Sequence, residues 1–288
     1  MNDLKPTLQM DGHSGCVIKI IENKGTFYIR KFSSGINYNS RLINQMQKQI
    51  DFYKNKKNNN LKTSKVIQSG YREGIFWFDM EYINGLNAIS HFSRCSTNEI
   101  KEIVLKLKNY LKNNIDDAEL IKPPIKKIKE KILSLTKNIN KSDTIQNYEM
   151  VFDYLNNNIP NLNIYKNVCH GDLTLSNLIF KKNEVYCIDF LDSFINSPII
   201  DLVKLKQDSS IGRIFHINKS FSKFNLTRSR LLTNYLDKEL SKIIDDDIIF
   251  SKWYNYLQVL NLVRIIPYTK TKKELIFLNN NITKIIKE

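Results

Sequence analysis

The chain has 288 residues, 42% of them hydrophobic, which is enough for one large domain or two lobes with a full core and excludes a disordered chain. Its formal net charge is +15, but the lysines are dispersed, as in a chain rich in Lys, Asn and Ile. The densest run, 122–141, holds seven lysines against one glutamate, with Ile125, Ile128, Ile132 and Leu135 at helical spacing, so it reads as an amphipathic helix with a solvated basic face. A nucleic-acid partner is therefore not expected despite the charge.

Four cysteines, at 16, 95, 169 and 187, form no C-x-x-C pair, which argues against a zinc site and marks them as small packing residues. The start, Met1 to Pro6, carries no apolar signal core. The most apolar late stretch, 248–268, is broken by Lys252, Arg264 and Pro267 and reads as a buried helix rather than a membrane span. A cytoplasmic location is the expectation.

In chain order, Thr7–Met10 is a short strand, and 11–15 is a Gly-containing turn. Cys16–Glu22 and Thr26–Phe32 are strands joined by a second turn. In the first turn, Gly12, Ser14 and Gly15 can lay backbone N–H groups over phosphates. The third strand carries Arg30 and Lys31. Either cation could reach a phosphate, and they face opposite ways because adjacent strand residues do. Residues 39–55 fit a helix. Val66–Gly70 and Gly74–Tyr82 are two more strands, the second ending in Met80-Glu81-Tyr82-Ile83 before Asn84-Gly85, the pattern of a hinge. After it the chain turns helical: Thr97–Lys112 with a Ser96/Thr97 cap, a helix after Pro123-Pro124, Thr144–Asn157, and much of 199–288, with caps at Thr227 and Asp245. Residues 178–189 form a hairpin around 182–184. The outline is an α+β, bilobal chain: a small β lobe over 1–84 and a larger α-rich lobe over 85–288.

The stretch 169–192 carries the chemistry. Asp172 and Asn177 lie five residues apart in a tight loop, and Asp189 follows the hairpin's second strand. Asp172 suits orienting a hydroxyl and accepting its proton. Asn177 and Asp189, hard oxygen ligands with positions left open, suit Mg²⁺ better than zinc or calcium. His170 belongs to the same catalytic loop and reads as holding it through hydrogen bonds. Asp201 reads as bonding loop backbone rather than metal, and Asp192 as a turn residue or an aid to a second metal.

The ordered set of Gly-loop, cationic strand, hinge, His170-Gly171-Asp172 with Asn177, hairpin, Ile188-Asp189-Phe190 and then Asp201-Leu202 resembles the aminoglycoside phosphotransferase and choline kinase superfamily, small-molecule kinases with a protein-kinase-like fold. The likeness runs from about residue 7 to beyond 202. The stretch is also similar to family members from bacterial surface-polysaccharide gene clusters. The resemblance implies ATP and Mg²⁺ as cofactors, with Asp172 as base, Asn177 and Asp189 as metal ligands, and Met80, Glu81, Tyr82 and Ile83 holding adenine through backbone contacts. It also implies a phosphate-binding cation. Phe-Tyr-Ile-Arg favours Arg30 over Lys31 for that role. An acidic partner is implied on the following helix, where 40–53 offers only Asp51. The expected function is transfer of the γ-phosphate of ATP to a hydroxyl of a sugar, a choline- or ethanolamine-like amino alcohol or a related metabolite. A protein kinase is disfavoured because only eleven residues separate Asp189 from Asp201. A non-catalytic nucleic-acid binder is disfavoured because no basic-aromatic module is present.

Overall fold

The structure is a computed structural model that describes residues 6–11, 16–55, 60–139, 145–217 and 223–288. Its elements, in chain order, begin with β1 (Pro6–Asp11), β2 (Cys16–Asn23) and β3 (Thr26–Ser33), then α1 (Asn39–Lys54), β4 (Lys62–Thr63), β5 (Val66–Arg72), β6 (Ile75–Glu81), β7 (Leu86–Asn87) and α2 (Ala88–Phe92). There follow α3 (Thr97–Asp116), β8 (Glu119–Ile121), α4 (Ile125–Asn138), α5 (Tyr148–Asn157), β9 (Ile164–Lys166), β10 (Leu178–Lys181) and β11 (Glu184–Cys187). The chain closes with α6 (Pro198–Ser209), α7 (Arg213–Ile217), α8 (Lys223–Asp245), α9 (Ile248–Ile265) and α10 (Lys272–Lys287). Antiparallel strands at the start and helices after them give the expected α+β class.

Two compact units divide the chain: 1–91 with 177–192, and 92–176 with 193–288. In the first, β1-β2-β3-β6-β5 form an antiparallel sheet. Tight turns at Lys24-Gly25 and Glu73-Gly74, all at positive φ, join its hairpins. Leu42 of α1 packs on Cys16, Phe76, Phe78 and Met80, so one face of the sheet is closed by an amphipathic helix. A second sheet, β4-β11-β10-β7, ties the hairpin of 178–187 into this unit. The hairpin turns at Lys182, φ 52°. Close approach explains Gly85: a Cβ there would sit 2.6 Å from Ile179 Cγ2 and 2.7 Å from the Phe180 carbonyl oxygen.

The second unit is helical, with one small antiparallel pair, β8 and β9. A capping box opens α3, where Ser96 accepts from the Glu99 N–H and Glu99 accepts from the Ser96 N–H. Two expected caps differ. Thr227 falls inside α8, and the cap of α9 is Asp247 rather than Asp245. The Asp247 carboxylate accepts from the Ile249 and Phe250 N–H groups at 2.7 and 3.2 Å. It is the last residue before the apolar periodicity starts, where a cap must stand. On α9, Trp253 and Tyr256 are core: the indole N–H reaches the Leu162 and Asn163 carbonyls, and the Tyr256 hydroxyl donates to the Leu155 carbonyl. All four cysteines are buried thiols. Among the described residues no helix is long and apolar enough to cross a membrane.

α6 is the unusual helix. Ser197 caps it, Pro198 opens it, and every one of its residues is buried, including Asp201, Lys204, Lys206 and Asp208. Buried charges persist only when bonded, so their partners locate the chemistry.

Candidate active site

In the first unit, β3 separates its two cations by strand alternation. Arg30 stands opposite Asp79 in the register, and Lys31 opposite Phe78. Arg30 forks onto Asp79, Nε to Oδ1 at 2.6 Å and Nη2 to Oδ2 at 2.8 Å, and lies 4.0 Å from the Trp77 ring centroid. Gln68 adds a third hydrogen bond to Asp79 at 2.8 Å. Lys31 points to the other face, is buried, and donates to Asp189 Oδ1 at 2.6 Å. The two cations thus stand on opposite faces of β3. The Arg30 guanidinium is committed to an ion pair on the far face, while Lys31 meets the motif.

The acidic partner expected on α1 is also absent from that place. Asp51 is exposed and accepts from Gln47 at 2.8 Å, and the buried polar positions hold Gln45 and Gln49. Gln49 donates to the Ser64 carbonyl at 2.8 Å and to the Met80 sulfur at 3.3 Å. Asp189 takes over as the carboxylate against the strand cation.

Asp189 adopts a left-handed backbone, φ 64°, uncommon for a residue with a Cβ and held here by its flanks. Before it, the Ile188 N–H donates to the Asn177 carbonyl at 3.0 Å. After it, Phe190 is buried edge-on to Phe52 of α1, with centroids 5.1 Å apart. Lys48 donates to the Leu191 carbonyl at 3.0 Å, and Asn44 to Asp192 at 3.3 Å. The segment is therefore stitched to α1, and Asp192 serves that stitching. The Asp189 side chain, one-third exposed, keeps an oxygen beyond the one facing Lys31. Among the described residues no three His, Cys, Asp or Glu side chains gather as a metal site. An amide oxygen and a carboxylate oxygen, as Asn177 and Asp189 would offer with the remaining positions left to phosphate and water, fit Mg²⁺ better than zinc.

Met80 is in the core, and beyond it the chain leaves β6. The Glu81 N–H donates to the Lys65 carbonyl at 3.0 Å, and the Tyr82 ring lies against Phe27, with centroids 6.2 Å apart. Ile83 is half-buried. Gly12, Ser14 and Gly15 lie outside the described residues.

In the second unit the loop around His170 and Asp172 is held by α6. Asp201, fully buried, accepts from the His170 and Gly171 N–H groups at 2.8 Å each and from the Tyr110 hydroxyl at 2.7 Å. It bonds loop backbone, as the sequence suggests. Gly171 takes φ 85°, which lets consecutive N–H groups converge on one carboxylate. Asp208, two turns on, accepts from the Leu175 N–H at 2.8 Å. Burial pushes its carboxyl up to about 6. His170 is fully buried, and its Nδ1 accepts from the Asp172 N–H at 3.2 Å, which places it as a brace for the loop.

The Asp172 side chain is 29% exposed, and its Oδ1 lies 2.9 Å from the ammonium of Lys204. Burial alone would raise its carboxyl. The Lys204 charge and hydrogen bond, with His170 and Arg264, outweigh burial and hold it below the ordinary carboxylate value. Lys204, Asp208 and Tyr110 were not anticipated. A signal existed for the first two: Asp201, Lys204 and Asp208 are spaced i, i+3, i+7 in apolar company, one face of a helix.

A sequence profile of the phosphotransferase enzyme family (APH) matches residues 11–216. The chain belongs to this family. A comparison with curated proteins gave no match. Among solved structures, the phosphotransferase fold recurs in a thermostable mutant of aminoglycoside phosphotransferase APH(4)-Ia, in ternary complex with AMP-PNP and hygromycin B. That chain is 10% identical at a TM-score of 0.64, over 99% of this chain and 94% of that one. Spectinomycin phosphotransferase APH(9)-Ia, in complex with ADP and spectinomycin, is 13% identical at 0.54, over 99% and 93%. The gentamicin–APH(2")-IIa complex is 15% identical at 0.53, over 99% and 92%. At these identities the likeness establishes the fold.

Proposed function

We propose that this phosphotransferase moves the γ-phosphoryl group of ATP to a hydroxyl of a small molecule, with Asp172 as the group that receives the hydroxyl proton. The observation that carries the reading is Asp172 itself: a carboxylate held ionised by Lys204, still partly open to solvent, on a loop that Asp201 and Asp208 fix through three backbone N–H groups. In the transfer, the acceptor oxygen bonds the γ-phosphorus as its proton passes to Asp172. The bridging bond breaks with its electron pair leaving on ADP.

Lys31, on the core face of β3, is the cation for the phosphates. Arg30 is not, because its fork is filled by Asp79. Asn177 and Asp189 are the residues to hold Mg²⁺, which when bound offsets phosphate charge. The exit of β6, Met80 to Ile83, is the adenine contact. The Glu81 N–H is already spent on the Lys65 carbonyl.

Family membership supports phosphotransfer, and the acceptor is the finer part of the proposal. A surface of net charge +15 disfavours polycationic acceptors such as those named for the solved relatives. The aromatic residues that could cage a quaternary amine, Trp253 and Tyr256, are spent in the core. Uncharged sugars and related alcohols remain the best-matched class. The test is ADP release from ATP and Mg²⁺ across a panel of sugars and amino alcohols. One acceptor should stimulate release, and Asp172→Asn should reduce that rate by roughly 10²–10⁴-fold. Undiminished turnover in Asp172→Asn would remove the assigned base.

A further inference from the structure

Lys204 is the charged group in contact with the carboxylate on which the reading above depends, and the fold makes no other evident use of it. It stands on α6 three residues after Asp201 and four before Asp208, so the three share one helix face. The two aspartates bind backbone N–H groups and thereby fix the course of the loop. Lys204 instead binds a side chain of that loop, its ammonium 2.9 Å from Asp172 Oδ1 while only 8% exposed. Lysine is rarely buried without a partner that repays its lost hydration. With the backbone already clamped on either side, the structural consequence left to this lysine is the orientation and charge of one carboxylate.

We propose that Lys204 is a positioning residue for the phosphotransfer: it pins Oδ1 of Asp172 and supplies its counter-charge, and so fixes how the carboxylate is presented to the acceptor hydroxyl. The proposal rests on Asp172 being the proton acceptor. The helix that braces the backbone also carries the ammonium, so proton acceptance and loop placement are set by one rigid element.

The charges around the pair define what the experiment should see. Asp172 is faced by Lys204 and Asp208 of α6, by Arg264 of α9 and by His170 of its own loop. Lys204 is faced by Asp172, by Arg264 and by Arg213 of α7. Burial, aided by the two arginines, pushes the Lys204 ammonium below its ordinary value against the pull of Asp172. Activity therefore has an acid limit where Asp172 takes up a proton and an alkaline limit where Lys204 loses one.

The test is the pH profile of kcat for the full-length chain with Mg-ATP and the acceptor found in the ADP-release screen, for wild type, Lys204→Met, Lys204→Arg and Asp172→Asn. Lys204→Met should lower kcat by about 10–100-fold with the ATP KM within about twofold. Its acid limit should move to higher pH, because burial of Asp172 is then less opposed. Lys204→Arg should recover most of kcat and lose the alkaline limit, since a guanidinium stays protonated. It also serves where the Met variant does not fold. Wild-type limits in either lysine variant, with Asp172→Asn inactive, would overturn the role of Lys204 and leave Asp172 as base. Wild-type turnover by Asp172→Asn would overturn the base and the positioning role together.

Discussion

Two lysine–aspartate pairs sit in the two units of this chain, and they are built differently. Lys31 projects from a β-strand onto Asp189, whose backbone is left-handed and whose segment is tied to α1 by side chains on both sides. Lys204 projects from a wholly buried helix onto Asp172, whose loop is bonded to that same helix through its backbone. In the first pair the carboxylate can exchange its partner, because lysine and aspartate come from separate elements. In the second, lysine and loop are fixed to one helix, so the pair is a standing feature. An exchangeable pair suits a metal and phosphates that come and go, and a standing pair suits a base that must be ready before the acceptor arrives.

The contrast is most easily broken at Asp201. Asp201→Ala strands three buried donors, the N–H groups of His170 and Gly171 and the Tyr110 hydroxyl. At about 1–3 kcal/mol for each group left unpaired, the expected loss is roughly 3–5 kcal/mol in denaturant unfolding. A loss under about 1 kcal/mol would mean that the helix does not hold the loop. Lys31→Met should behave oppositely. Asp189 is one-third exposed and can be rehydrated, so stability should fall by no more than about 1 kcal/mol, while calorimetric affinity for Mg-ATP should drop by about tenfold or more, one charge-assisted contact being lost. A large fall in melting temperature with unaltered nucleotide affinity would make Lys31 a structural residue.

The smallest effect is one of pH. The Asp208 carboxyl is pushed from its ordinary 3.8 up to about 6 by burial. The folded state thus holds this proton more tightly than the unfolded chain. The resulting stability is complete below the ordinary value and is lost as pH rises through about 6. Between pH 5 and 7.5 wild type should lose on the order of 1–2 kcal/mol more than Asp208→Asn, read as the difference in their denaturation midpoints at the two pH values. Parallel behaviour of the two proteins would show that Asp208 titrates as an ordinary surface acid.

Much of the fold could be read from the sequence because its signals are local. Alternation and a Gly turn gave β2 and β3, one-sided apolar residues gave α1, and the Ser96/Thr97 cap gave the start of α3. The motif residues stood out because polar side chains in apolar company need a reason. What escaped depended on contacts distant in sequence. The pairing of β4 with β11 joins Lys62 and Thr63, too short a strand to carry a pattern of its own, to strand residues more than a hundred positions later. Which of Arg30 and Lys31 shares a face with Asp79 is set by the register with β6, a pairing that the sequence of β3 does not contain. Lys204 and Asp208 went unread because charged residues on a predicted helix are ordinarily assigned to solvent, and α6 has no solvent face.

That lack of an outer face constrains how the sequence can drift. On most helices a charged position can change alone, because water compensates. On α6, Lys204 answers to Asp172, Asp201 to Tyr110 and two loop amides, and Lys206 to Asp237 and Ser241. Removing one member leaves a buried charge without its complement, whereas replacing both with apolar groups can be nearly neutral. Divergent relatives that keep this helix should therefore change Lys206 and Asp237 together, and keep Asp201, whose complement includes two loop amides that no substitution can remove.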